Sequence, residues 1–164
     1  MAVALAILAC GCAKSSEAPT PIPINLAPAA KIDNYSGTLK VGGSNYHQFG
    51  FKESGIVAIT LTSVGYANIT DADGNSVPNP RTDAIPGLTI VVGTPAATTI
   101  GLQCSPIAFN GAAQFAVATP GNAPQLTGSA LAGQYCISVS DPSVTLLDPV
   151  VYKISIAHPL DPAS

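Results

Sequence analysis

Gly55-Ile-Val-Ala-Ile-Thr-Leu-Thr-Ser63 is the stretch from which the rest of the chain is read. Val57, Ile59 and Leu61 fall on one side of an extended backbone, and Ala58, Thr60 and Thr62 fall on the other. Successive side chains of a strand point to opposite faces of a sheet. Alternation rich in Val, Ile and Thr therefore predicts a strand with one face buried and one face in water.

The same period recurs on both sides of it. Tyr46 to Phe51 puts His47, Phe49 and Phe51 on one face and Tyr46, Gln48 and Gly50 on the other. Gln134 to Ser140 groups Tyr135, Ile137 and Val139 and turns Cys136 the opposite way. Val150 to Ala157 groups Val150, Tyr152, Ile154 and Ile156, with Lys153 and Ser155 outward. Weaker strand signals lie at Tyr35 to Val41, Tyr66 to Thr70, Leu88 to Val92, Thr98 to Cys104 and Ala113 to Thr119. Asp71-Ala-Asp-Gly-Asn75 is a turn signal, and a proline-containing loop follows from Val77 to Pro86. No stretch has helical periodicity, and no internal repeat is present. The expectation is an all-β chain of about eight short strands, folded as an antiparallel sandwich or barrel.

The N-terminus has a different character. Met1-Ala-Val-Ala-Leu-Ala-Ile-Leu-Ala-Cys-Gly-Cys12 is apolar up to its cysteines. Its apolar run is far shorter than the about 20 residues that cross a bilayer as a helix, and it fits the core of an export signal. It resembles a bacterial lipobox, in which an apolar and a small residue precede the cysteine that becomes the lipidated N-terminus. Cys12 follows Gly11 and Cys10 follows Ala9, so Cys12 is the expected lipid carrier, with Cys10 as the alternative. Nothing before Lys14 is charged, which suggests a start upstream of Met1. Residues 1–12 are thus read as a lipoprotein signal and 13–31 as a linker, whose stretch Glu17 to Pro28 holds four prolines. In an extended proline-rich course the linker would reach roughly 50 to 60 Å. Residues 32–164 form the expected β-sandwich domain. The implied address is the bacterial cell envelope, lipid-anchored at the outer membrane or cell surface.

Composition narrows the function. Hydrophobic residues make up 47 % of the 164, enough for a sizeable core, while charged residues make up only 9 %, against about 25 % in an ordinary globular chain. The net charge is −3 and the six basic residues are scattered, so the cationic footprint that nucleic-acid binding needs is absent. Cys104 and Cys136 remain for the folded part. Outside the cytoplasm they are expected to pair, closing a loop of about 30 residues worth roughly 3 to 4 kcal/mol in the chain-entropy model. Two cysteines without adjacent histidines fall short of a zinc set.

Candidate chemistry is sparse. Asp71, Asp73 and Asn75 offer alternate oxygens of the kind that hold calcium, but Ser76 and Thr82 occupy the EF-hand glycine and glutamate positions. Asp-Gly is also an ordinary hairpin pair, so both readings stand. His47 shares a face with Phe49 and Phe51 and reads as a hydrogen-bonded core residue, while His158 reads as an edge residue at the end of the last strand. Asp141 and Asp148 are the acid pair to weigh for glycoside cleavage, and they read as solvated loop acids. Gly-x-Ser-x-Gly and His-Glu-x-x-His are absent. Tyr46 is expected to face outward, able to stack on a sugar or a peptide, whereas Tyr135 and Tyr152 are expected to be buried. Asn68-Ile-Thr70 matches a glycosylation acceptor, which in a bacterial protein is incidental.

Three patches carry a family resemblance: Tyr35-Ser-Gly-Thr-Leu39 with Asn45-Tyr-His-Gln-Phe-Gly-Phe51; Gly55 to Ser63 with Asp71-Ala-Asp-Gly74; and Gly133-Gln-Tyr-Cys-Ile-Ser-Val-Ser-Asp141 with Tyr152-Lys-Ile-Ser-Ile156. Together they resemble the bacterial pre-peptidase C-terminal domain, a jelly-roll-like β-sandwich commonly appended to secreted peptidases. The resemblance spans Asn34 to His158 and rests on core and turn positions. It implies a single jelly-roll-like sandwich that is not itself an enzyme. Some members bind calcium through an acidic residue ahead of the first tyrosine, where this chain has Ser44-Asn45-Tyr46. The expected role is a non-catalytic envelope lipoprotein that binds a glycan or an extracellular protein. The alternative is an accessory or targeting module for a secreted hydrolase.

Overall fold

The computed structural model describes residues 30–99, 101–107 and 115–160. The stretch that opened the sequence reading is the centre of strand β3 (Gly55–Tyr66), with Val57, Ile59 and Leu61 fully buried. Around it lie β1 (Ala30–Leu39), β2 (Ser44–Phe51), β6 (Leu88–Thr98), β7 (Gly101–Pro106), β8 (Phe115–Ala118), β9 (Leu126–Ala130), β10 (Gly133–Ser140) and β11 (Val150–Pro159), while β4 (Ile69–Thr70) and β5 (Ser76–Val77) form a separate ribbon. No helix occurs among the described residues.

Two antiparallel sheets pack face to face. One has the order β1-β11-β3-β9, and the other β2-β10-β6-β7, with β8 also paired to β6. The chain steps between them: β1, β3, β9 and β11 belong to the first sheet, and β2, β6 to β8 and β10 to the second. This winding makes a jelly-roll sandwich, as expected. The alternation of each strand supplies the core. Phe49 and Phe51 of β2, Leu88, Ile90 and Val92 of β6, Ile137 and Val139 of β10, and Tyr152, Ile154 and Ile156 of β11 all point inward. Burying each such side chain contributes about 1.5 to 3 kcal/mol.

Three differences from the sequence reading have local causes. β9 was not foreseen, because its inward positions Leu126, Gly128 and Ala130 are mostly small and carry little hydropathic signal. β6 runs six residues beyond Val92, through Gly93 and Pro95, which normally punctuate strands. His158 is no edge residue: β1 begins at Ala30 and pairs Lys31 with His158, which covers the end of β11 and leaves the imidazole fully buried. It lies against the Phe51 ring, with centroids 5.5 Å apart, and its Nε2 is 3.1 Å from Asp33 Oδ2.

Candidate functional site

β2 and β10 lie side by side in register, Tyr46 opposite Ser138 and Gln48 opposite Cys136. Because Phe49, Ile137 and Val139 point into the core, Ser44, Tyr46, Gln48, Cys136 and Ser138 stand on the outer face of the sheet. Cys136 is nevertheless wholly buried. The cover is β7, bonded to β10 through the Cys104–Cys136 disulfide, with the two Cα atoms 5.7 Å apart. β7 stays paired with β6 from Thr98–Gly101 to Gly93–Pro106, and at Gly93 its Ser105 backbone closes over the strand. A Cβ at Gly93 would lie 2.0 Å from the Ser105 carbonyl oxygen, so only glycine permits this closure.

Between β7 and the outer face lies a cleft of about 320 Å³, lined by Ser44, Tyr46 and Ser138 below and Leu102, Gln103 and Cys104 above. That is at the lower end of ligand-pocket volumes, about 300 to 1,000 Å³. The Ser44 and Ser138 hydroxyls hydrogen-bond each other at 2.8 Å. The Tyr46 hydroxyl is shielded from solvent and has no partner among the described residues. The lining holds no Asp, Glu, His, Lys or Arg, and its cysteine is disulfide-bonded. Such a surface can stack against a ring and exchange neutral hydrogen bonds; it holds no acid, base or nucleophile set.

His47 lies on the opposite, inner face of β2. Its Nε2 meets the Tyr152 hydroxyl at 2.6 Å, and the Tyr35 ring lies 5.0 Å away, centroid to centroid. The Tyr35 hydroxyl donates to the Gln48 carbonyl at 2.8 Å, and the Asn45 amide donates to the Thr38 carbonyl at 3.0 Å. Burial pushes the His47 imidazole below its usual value and keeps it neutral at pH 7. Burial also pushes the Tyr152 phenol up, against a smaller downward pull from Asn45. Neither group is poised to exchange a proton near neutrality, and the network ties edge strands β1 and β2 together.

The calcium candidates close the β4–β5 ribbon. Asp71 Oδ1 accepts from the backbone N–H groups of Asp73 at 3.0 Å and Asn75 at 2.8 Å, and Oδ2 accepts from the Asn75 amide at 3.4 Å. The Asn75 backbone bond, more than any other contact, holds the Asp71 carboxyl below the ordinary range. The residues fit a side-chain-locked turn rather than a ring of oxygens aimed at an ion. In the Ser44-Asn45-Tyr46 stretch, the Asn45 amide donates to the Thr38 carbonyl. Among the described residues no group of three or more His, Cys, Asp or Glu is placed to hold a metal.

Asp141 and Asp148 do not form a pair. Asp148 binds Arg81, which also meets Asp83 at 2.8 Å. Asp141 is a correction to the solvated-loop reading, for it is buried. It accepts from the backbone N–H groups of Gly42 at 3.0 Å, Thr145 at 2.8 Å and Leu146 at 3.2 Å, and from the Thr145 hydroxyl at 3.0 Å. Burial alone would raise its pKa, but these four donors outweigh it and hold the carboxyl below the ordinary range. It pins the β10–β11 connection to the β1–β2 turn.

Tyr46 faces outward, and Tyr135 and Tyr152 are buried, as expected. Cys10 and Cys12 lie outside the described residues. The sequence reading missed Ser44, Ser138, Leu102 and Gln103. Their signal was the outward parity of Cys136, which obliges its bridge, and the strand that carries Cys104, to pass over the outside of the sheet. No protein-family model and no curated protein matches this chain.

Proposed function

We propose that this chain is a non-catalytic lipoprotein of the bacterial cell envelope whose β-sandwich is a binding module, with the cleft under β7 as its ligand site. The observation that carries the reading is the cleft itself: an aromatic ring, two serine hydroxyls and an amide converge there with no carboxylate, imidazole, ammonium or guanidinium group. A disulfide that closes one wall supports an oxidising, extracytoplasmic setting. The lipid on Cys12, or on Cys10, belongs to the same proposal, as does a tether that ends before residue 30, since Ala30 and Lys31, read from the sequence as linker, pair in β1. The jelly-roll winding agrees with the resemblance to the pre-peptidase C-terminal domain, which makes service beside a secreted hydrolase the second reading.

Two measurements test it. The intact mass of the membrane-extracted full-length protein, before and after reduction, should show cleavage before one of the two cysteines, added acyl chains and a reducible bridge; an unprocessed chain with free thiols overturns the envelope assignment. Purified full-length protein should be retained on envelope fractions, and Tyr46→Ala should lose that retention at unchanged thermal stability. Equal retention of the variant, or none for either protein, removes the cleft as the site; co-purification of a hydrolase in its place establishes the second reading.

A further inference from the structure

Resting on that reading, we infer that the cleft takes a neutral sugar unit of an uncharged polysaccharide. A pyranose presents C–H faces to apolar and aromatic surfaces and a rim of hydroxyls that both donate and accept. The cleft matches both demands. The Tyr46 ring and Leu102, which is 58 % exposed on β7, supply the apolar contacts from opposite walls. The Ser44–Ser138 hydroxyl pair and the Gln103 amide supply groups that donate and accept alike.

Other ligand chemistries fit less well. An anion would find no lysine or arginine among the lining residues. A peptide bound by strand addition would lie along the free edge of β2, in the plane of the sheet, whereas the cleft stands on the outer face. The outer face continues past the cleft along Gln48 and Gly50 to Gln134 and a second, smaller depression lined by Gly50, Phe51, Lys52, Gly133 and Gln134. A linear polymer lying along β2 would pass over both. Shallow walls with a single aromatic platform predict weak affinity per unit, with Kd on the order of 1 mM.

The test is a titration of the purified full-length protein, followed by chemical-shift perturbation, with neutral gluco-, galacto- and manno-hexasaccharides, with hexagalacturonate as the anionic control and an uncharged hexapeptide as the peptide control. At least one neutral series should bind saturably and shift resonances at residues 44–46, 102–104 and 138. Tyr46→Ala should abolish binding, and Gln103→Ala, an exposed position that leaves the fold intact, should weaken it by about three- to tenfold. Tyr46→Phe keeps the platform and removes a hydroxyl that solvent does not reach; it should raise the melting temperature and keep sugar binding, which separates loss of the ring in Tyr46→Ala from loss of the fold. Preferential binding of hexagalacturonate or the peptide overturns the sugar assignment. So does failure of every neutral sugar while retention on envelope fractions still depends on Tyr46, an outcome that leaves the binding-module reading standing. No sugar binding together with no Tyr46-dependent retention overturns both.

Discussion

Replacing Cys104 and Cys136 together by alanine isolates what the disulfide does. The two residues are 32 positions apart. In the chain-entropy model a loop of that length constrains the unfolded chain by about 12.5 cal/mol/K, or about 3.7 kcal/mol at 25 °C. Against a total stability of about 5 to 15 kcal/mol for a domain, this is a large share. The bridge lies on the outer face of its sheet, so its removal leaves the inward residues Ile137, Val139 and Val92 in place. The folded state should therefore survive at 25 °C with its sheet content intact. Urea unfolding, followed by circular dichroism, should show a loss of about 3 to 4 kcal/mol and a steeper denaturant dependence, because the unbridged unfolded chain exposes more surface. Hydrogen exchange in β7, from Gly101 to Pro106, should accelerate well beyond that in β3. A loss below about 1 kcal/mol, with β7 still protected, would refute the reasoning, since it would mean that the β6–β7 ladder alone holds the wall of the cleft.

Two further outcomes follow from the same geometry. Asp141 is held below its unfolded pKa, so its contribution to stability is complete above about pH 4 and is lost as pH falls through the folded value; Asp141→Asn should cost about 2 to 4 kcal/mol at pH 7 and flatten, without abolishing, the fall in stability between pH 4 and pH 2, because Asp33 is also lowered and keeps its share. Gly93→Ala places a methyl group 2.0 Å from the Ser105 carbonyl oxygen, so β7 must move; thermal unfolding should register a loss of at least about 2 kcal/mol, and an undisturbed melting temperature would show that β7 does not cross where it is placed.

Much of the fold was legible because one face of each central strand meets the core and the other meets water. β3, β10 and β11 carry that contrast over eight or more residues, with Ile, Val and Leu on one parity and Thr, Ser or Lys on the other. Legibility failed where the buried positions are small, as at Gly128 and Ala130 of β9. It failed again where a residue that usually ends a strand is tolerated inside one. Pro95 sits in β6 opposite Cys104, in the half of the strand that has passed β10 and pairs only with β7. His158 and Asp141 were misjudged for a related reason. Each looks like a terminal or loop residue along the chain, and each is buried by a segment distant in sequence: the start of β1 for His158, and the β1–β2 turn for Asp141.

The cleft was the least legible part, yet its cause is written in three local irregularities. Cys136 has the parity of Gln48 and Ser138, not that of the core residues Tyr135 and Ile137. A cysteine on the inner face would have stapled one sheet to the other. A cysteine on the outer face can only hold something laid across the outside, and the partner it finds is on β7. For β7 to reach it, the strand beneath must give up a side chain at the crossing, and Gly93 does so. Taken singly, an outward cysteine, a glycine in mid-strand and a proline two residues later read as interruptions of a good β pattern. Taken together they specify one feature: a second layer over an otherwise open sheet, with Tyr46 on its floor. A sandwich needs no such layer to fold, because its core is complete without it. A disulfide, a glycine crossing and an unpartnered tyrosine hydroxyl concentrated there are better explained by a site than by stability.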